Sequence, residues 1–405
     1  MSITDMRPIE GGITASRGFS AAGVACGIKP SGARDLTLVA AERPVSAAAV
    51  FTTNLVQAAP LLVSRERLTA SGNRAAAIVV NSGCANACTG IDGITHANRM
   101  ADVTAGALGV DASQVLVAST GVIGVKLEMS RVERGIQQAA RALSTSGGSD
   151  AALGIMTTDP FPKESAVEVS SARGTFRVGG MAKGSGMIEP MMATMLGFIT
   201  TDAGVSPGLL QEALRAAVDD TFNAITVDGE CSTNDCVFAL ASGDSGVSLG
   251  PADLPLLADA LKAACEPLAV AIVRGGEGAT KLITVRVGGA RSTQDAKRAA
   301  RAIANSLLVK TAIHGGDPNW GRLVAVAGRS GAPFSLERAV VRIGPVELFS
   351  EGTPHDERAP DAAVYLGGRE IELFVDLGTG GQAEARMWTC DLSAEYVRIN
   401  AEYRT

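Results

Sequence analysis

Apolar and polar positions along this chain follow two different periods. Residues 75–80 form a short apolar run ending in Asn81-Ser82-Gly83, and residues 114–118 form another, ending in Ser119-Thr120-Gly121. Such short runs, closed by glycine and small polar residues, predict buried strands entering tight turns. Elsewhere the period becomes helical. Residues 130–144 place Val132, Ile136, Ala139, Ala140 and Leu143 on one face, with Ser130 and Glu133 spaced as a capping box. Residues 206–219 begin with Ser206 at the cap and Pro207 in the first turn, and Leu210, Ala213, Leu214 and Ala217 make the inner stripe. Residues 293–308 predict a further helix with Ala296, Ala300, Ile303 and Leu307 inward, whereas 339–343, 363–366 and 370–375 read as paired strands. No repeat or low-complexity linker intervenes, and residues 144–150 are the loosest stretch. Strands interleaved with helices predict an α/β fold of sheets covered by helices, although strand order is not legible.

Composition narrows the functional classes. The chain has 405 residues, 46% hydrophobic, 19% charged and 4% aromatic, with 47 Gly. That length predicts two or three domains or lobes. A mean hydropathy of +0.20 sets it apart from disordered chains. No apolar run approaches the length of a membrane span, and the charged residues Asp5, Arg7 and Glu10 argue against a secretory signal, so neither membrane nor export is expected. A net charge of −6 with no basic cluster argues against nucleic acid. The 7 cysteines, odd in number and thinly spread, read as reduced thiols of a cytoplasmic protein. Neither Cys84 with Cys88 nor Cys231 with Cys236 has zinc-knuckle spacing, and only 3 histidines are present, so no metal site is expected.

The chemistry concentrates in residues 179–202, where four glycines surround Lys183 and Thr194 follows Ala193 in an apolar run. The order Lys183-Gly184-Ser185 does not make a phosphate loop, and the third glycine of a dinucleotide fingerprint is missing. Spacing alone therefore favours a flexible turn with a solvated lysine. Thr194 among methionines reads, by pattern alone, as a core hydroxyl.

A resemblance alters that balance. Met181-Ala182-Lys183-Gly184-Ser185-Gly186-Met187-Ile188 with Ala193-Thr194-Met195-Leu196 resembles the glutamate N-acetyltransferase (ornithine acetyltransferase) family. The likeness runs through Gly27-Ile28-Lys29-Pro30-Ser31-Gly32, Val50-Phe51-Thr52-Thr53-Asn54, Ala118-Ser119-Thr120-Gly121-Val122-Ile123-Gly124 and Met156-Thr157-Thr158-Asp159. It continues through Ser232-Thr233-Asn234-Asp235, Gly276-Glu277-Gly278-Ala279-Thr280-Lys281, Asp317-Pro318-Asn319-Trp320-Gly321-Arg322 and Asn400-Ala401-Glu402-Tyr403-Arg404-Thr405. Cys84, Glu230-Cys231 and His314-Gly315 depart from the expected pattern, and none is a position expected to be catalytic.

The resemblance implies a layered αββα-like sandwich of mixed sheets between helices, with two intertwined lobes. It implies a precursor that cuts itself between Ala193 and Thr194 into an α chain, residues 1–193, and a β chain, residues 194–405, assembled as an α2β2 heterotetramer. Neither chain shows a separate core in the sequence. The chemistry accords with this. A threonine hydroxyl needs a base, and cutting creates an α-amine on the same residue that titrates near ~7.7–8.0. No histidine is required. The implied ping-pong reaction moves acetyl from N-acetylornithine onto Thr194 and then to glutamate. Thr120 and Gly121 form the implied oxyanion hole, a role suited to a glycine at a strand's end. The implied substrate contacts are Thr157, with Thr158 beside it, Lys183 for the carboxylate, Thr194, Glu277 for the ammonium, Asn400 and Thr405, with the C-terminus docked. Asp317, Asn319 and Trp320 read as a structural turn. No cofactor is needed, and acetyl-CoA enters as co-substrate only if the protein is bifunctional. Two alternatives remain: an aminopeptidase-like hydrolase of similar fold, and an uncleaved relative that binds amino acids.

Overall fold

The computed structural model describes residues 5–189 and 195–402. The chain forms two compact units, Met1–Asn223 with Glu230–Ile272, and Ala224–Gly229 with Val273–Arg404.

The first unit is built on nine strands: β1 (Asp5–Pro8), β2 (Phe19–Val24), β3 (Leu36–Phe51), β4 (Arg74–Cys84), β5 (Val115–Val122), β6 (Lys163–Ser171), β7 (Gly174–Lys183), β8 (Leu196–Thr201) and β9 (Cys236–Ala241). They run in the order β1-β6-β7-β8-β9-β3-β4-β5, with β2 also on β3. The sheet is mixed: β4 with β5 and β8 with β9 are parallel, the other pairs antiparallel.

The long strand β3 explains how one sheet supplies two layers. Its first half pairs with β2 and β4, its second half with β9, and its register with β4 shifts between Ala40 and Val45. Alternation along β4 then sorts the two faces. Ile78 and Val80 share a buried cluster with Leu116, Ala118, Met181, Phe198 and Phe238, which lies between the sheet halves. Ala77 and Val79 face the other way, onto Met100, Val132 and Ile136 of the helices Gly90–Leu108 and Met129–Ala142. The helix Pro207–Asp220 packs on β3, and Leu268 of the helix Leu254–Arg274 lies against Gly180 of β7. The layering is helix, sheet, sheet, helix, as expected.

The second unit has six strands, β10 (Leu282–Ala290), β11 (Val340–Ile343), β12 (Val346–Ser350), β13 (Thr353–Pro354), β14 (Glu370–Asp376) and β15 (Ala383–Cys390), in the order β13-β12-β11-β14-β10-β15. Ile283, Val285, Leu373 and Val375 pack with Ala296, Ala300 and Ile303 of the helix Thr293–Ala304 in a core of this unit's own. The expectation that neither side of residues 193/194 has a separate core is thus corrected for the second unit. Strands β8 and β9, however, lie in the sheet built mostly from residues before 193.

Several local expectations change. The helix starting at Thr293 ends at Ala304, and Ser306 caps a new helix, Leu307–His314, by accepting from the Val309 N–H; Leu307 is therefore exposed. Residues 363–366 are helical, not a strand, because Pro360 starts the helix Ala359–Leu366 and Ala362 and Leu366 bury its inner face. Ser130 and Glu133 make no capping box. Glu128 is the cap residue, Ser130 lies inside the first turn, and Glu133 binds Arg99 instead. The helix Pro207–Asp220 is as expected, with Ser206 accepting from the Leu209 N–H. Among the described residues no helix is long and apolar enough to cross a membrane.

Candidate active site

Strand β5 does not stop at Ser119, as its sequence suggested, but continues through Thr120 and Gly121 to Val122. Thr120 pairs with Ser82 and Gly121 with Gly83, and the register slips at the next residue, Cys84. Gly121 has φ +125°, and a Cβ there would lie 2.3 Å from the Gly83 carbonyl carbon. Only glycine fits. Asn234 ties this irregular end together by donating from Nδ2 to the Ala85 carbonyl at 2.6 Å and the Ser119 carbonyl at 2.8 Å.

The buried Lys183 closes strand β7, and its Nζ donates to Thr120 Oγ1 at 3.2 Å. It is not the solvated lysine that spacing favoured. Behind it sits a charge pair that sequence reasoning missed. Asp159 Oδ1 accepts from Lys163 Nζ at 2.5 Å and from the Gly184 N–H at 2.7 Å, and Oδ2 accepts from the Thr157 N–H at 3.0 Å. Both charged side chains are fully buried. Burial opposes the Asp159 charge, yet the Lys183 and Lys163 ammoniums and these hydrogen bonds hold its carboxyl at about 2. It is ionised. Burial pulls Lys163 down, and Asp159 holds it up. Lys29 is lowered by burial, while Asp35 and Asp159 raise it and Lys183 lowers it.

Asp235, just before strand β9, behaves oppositely. Complete burial drives its carboxyl well above the usual carboxylate range, against the pull of Ser232, Lys183 and the Met195 N–H. Among the described residues its Oδ2 has no hydrogen-bond partner. The buried Lys183 on Thr120, with the ionised Asp159 near it, is a desolvated charged setting suited to a carboxylate and a developing oxyanion. The structure thus brings together Thr120, Gly121, Thr157 and Lys183. Ala193 and Thr194 lie outside the described residues.

The second unit holds Glu277 and Asn400. Asn400 Nδ2 donates to Glu277 Oε2 at 2.8 Å and to the Tyr396 carbonyl at 3.0 Å. Gly278, at φ +70°, lets the helix Ala394–Glu402 approach this loop, since a Cβ would lie 2.4 Å from the Tyr396 nitrogen. Asp391 anchors the same loop through the Thr280 and Lys281 N–H groups, both at 2.8 Å, and contacts His314 Nδ1 at 2.7 Å. Burial opposes its charge, but these bonds and that of the Thr280 hydroxyl hold its carboxyl below the usual range. His314, a departure from the expected pattern, thus has a structural partner. Thr405 lies outside the described residues. Among the described residues no three His, Cys, Asp or Glu side chains gather as a metal site.

Asp159, Lys163, Asn234 and Asp235 all lie in or near blocks that carried the resemblance. A visible signal was the polar run Ser232–Asp235 immediately before an all-apolar strand.

A profile of the ArgJ family matches residues 20–405. The chain belongs to the ArgJ family. Two relatives, each named arginine biosynthesis bifunctional protein ArgJ, show how far the likeness extends. That from Symbiobacterium thermophilum is 51% identical over 99% of this chain and 100% of its own. That from Synechococcus sp. is 51% identical over 98% of each chain. A crystal structure of ornithine acetyltransferase complexed with ornithine, from Mycobacterium tuberculosis, is 42% identical and covers 47% of this ArgJ-family chain and 100% of that chain, with a TM-score of 0.43.

Proposed function

We propose that this ArgJ-family chain is a glutamate N-acetyltransferase of arginine biosynthesis that cuts itself between Ala193 and Thr194 and then transfers acetyl from N-acetylornithine to glutamate. Thr194 is the nucleophile, and its freed α-amine is the base. Its hydroxyl attacks the acetyl carbonyl, ornithine leaves, and the glutamate amine takes the acetyl group from the threonine ester. Thr120 and Gly121 stabilise the oxyanion of both steps. Lys183 holds the amino-acid carboxylate with Thr157 near it, and Glu277 with Asn400 and Thr405 holds the ammonium end. The observation that carries this reading is Lys183 Nζ on Thr120 Oγ1, a buried cation against the predicted oxyanion pair in a chain of this family.

Cutting would produce chains of residues 1–193 and 194–405 that share one sheet, because β8 and β9 belong with β1–β7. That sharing supports chains that stay together, and an α2β2 assembly in the cytoplasm goes with the reading. Acetyl-CoA is a second donor in the same proposal, since the relatives are named bifunctional. No resident cofactor is part of it.

A denaturing gel with N-terminal sequencing tests the reading. The expected result is two bands, the second beginning at Thr194, with acetyl appearing on glutamate; a single active band, or release of free acetate in place of transfer, overturns it. Thr194→Ala is expected to stop both cutting and turnover.

A further inference from the structure

We propose that Lys310 is a positioning residue for the candidate ammonium site: it holds Val227 and Asp228 against the loop that carries Glu277. This rests on the reading of Glu277 given above and deepens it.

Lys310 lies on the helix Leu307–His314 and is 1% exposed. Its Nζ donates to the Val227 carbonyl at 2.7 Å, to Thr389 Oγ1 at 2.9 Å and to Cys390 Sγ at 3.7 Å. All three protons of the ammonium are thereby directed, each to a neutral group. A buried charge is ordinarily paired with an opposite one, because taking it out of water is costly. A methionine would fill much the same space without that cost. What the ammonium adds is a hold on several acceptors at once. One of them belongs to Ala224–Gly229, a segment that joins the second unit apart from the rest of it, Val273–Arg404. The segment runs beside β15, where the Thr226 N–H donates to the Trp388 carbonyl at 2.9 Å.

From Val227 and Asp228 two limbs run to Glu277. In the first, the buried Val227 packs on Gly276: a Cβ on that glycine would lie 3.2 Å from Val227 Cγ2 and 3.3 Å from Cγ1. Gly276 is bonded to Glu277, so Val227 steadies the backbone from which the Glu277 side chain projects. In the second, Asp228 Oδ2 accepts from the Tyr396 hydroxyl at 3.2 Å. The Tyr396 carbonyl accepts from Asn400 Nδ2, which also donates to Glu277 Oε2. Tyr396 is in turn the residue whose backbone lies against Gly278. Lys310 therefore stands behind both glycines that flank Glu277 and behind the asparagine that orients its carboxylate. Glu277 is itself buried, which leaves its carboxylate little room to find a new aim if either limb shifts.

In the reading above, Glu277 holds the ammonium end of the amino acid and makes or breaks no bond. A displaced Glu277 then weakens binding of the amino acid and spares the chemical step, so the loss falls on KM and not on kcat. Self-cutting, which that reading assigns to other residues, is expected to proceed.

The test measures acetyl transfer to glutamate by the mature protein carrying Lys310→Met, Glu277→Gln, or both. Lys310→Met is expected to raise the glutamate KM about 3–10-fold, with kcat within about twofold of wild type. On the Glu277→Gln background the same change is expected to add less than about twofold, because the charge it positions is already gone. A residue that merely supports the fold would multiply the two KM effects, or lower the unfolding midpoint and kcat while sparing KM. A KM rise below about threefold for Lys310→Met, or KM effects that multiply in the double variant, overturns the proposal. If Lys310→Met does not fold, Tyr396→Phe takes its place, since it removes the hydroxyl held by Asp228 and keeps the ring. Its expected effect is a KM rise of about 2–3-fold that disappears on the Glu277→Gln background. An unchanged KM, or a rise that persists on that background, overturns the proposal. An unchanged KM in Glu277→Gln itself sinks the parent reading of Glu277, whereas a raised KM there with none in Lys310→Met sinks only the role of Lys310.

Discussion

The two units hold their candidate site residues by different physical means. Around Lys183 the first unit uses desolvated charge: Asp159 and Lys163 pair with no solvent exposure, and a glycine at φ +125° sets the bend at Thr120 and Gly121. Around Glu277 the second unit uses a loop that accepts hydrogen bonds from Asn400 and Ser393 and donates to the Asp391 carboxylate. In the first arrangement, removing one partner strands a buried charge or forces atoms to overlap. In the second, a lost bond is partly replaced by neighbours or water.

The largest expected effect comes from Asp159→Asn, which leaves Lys163 without its counter-charge. A stability loss of about 3–5 kcal/mol is expected in urea unfolding. The pH sign is fixed: the folded Asp159 carboxyl titrates at about 2, below its unfolded range, so its contribution is present at neutral pH and is lost as pH falls towards 2. Wild-type stability should therefore drop more steeply between about pH 5 and 2 than that of the variant.

Gly121→Ala comes next. The Cβ would lie 2.3 Å from the backbone of Gly83, so the strand end must move. Loss of a positioned oxyanion donor predicts a fall of about 10²–10³-fold in kcat, measured by acetyl transfer to glutamate. Near-normal kcat would remove Gly121 from the oxyanion hole.

Lys183→Met is expected to reduce kcat/KM by about 10–100-fold, consistent with a lost charged hydrogen bond, while cutting persists. Equal loss of both would move Lys183 into the cutting machinery. Glu277→Gln is the mildest. It keeps an acceptor for Asn400 and removes the charge, so KM should rise about 5–10-fold with little change in unfolding midpoint. An unfolding effect as large as that of Asp159→Asn would erase the contrast between the two units.

Much of this was legible from residues in order. The helix Pro207–Asp220 followed from Ser206, Pro207 and a clean stripe, because its cap and its buried face are local. Residues 363–366 misled because four residues are too few to separate a strand from the last turn of a helix. Thr120 and Gly121 were singled out by resemblance, but not the backbone that shapes them, since Gly83 and Gly121 meet only through strand pairing. Asp159 and Lys163 were invisible as a buried pair, because their burial depends on β6 and β7 and not on their spacing.

By itself the sequence determined the α/β class and the family resemblance, because residue types, local periods and ordered motifs carry that information. Tertiary structure decided which charges lose their water. It alone kept Asp159 an ion, pushed the Asp235 carboxyl upward and made Lys183 a buried partner of Thr120, since desolvation and pairing depend on what distant strands bring together.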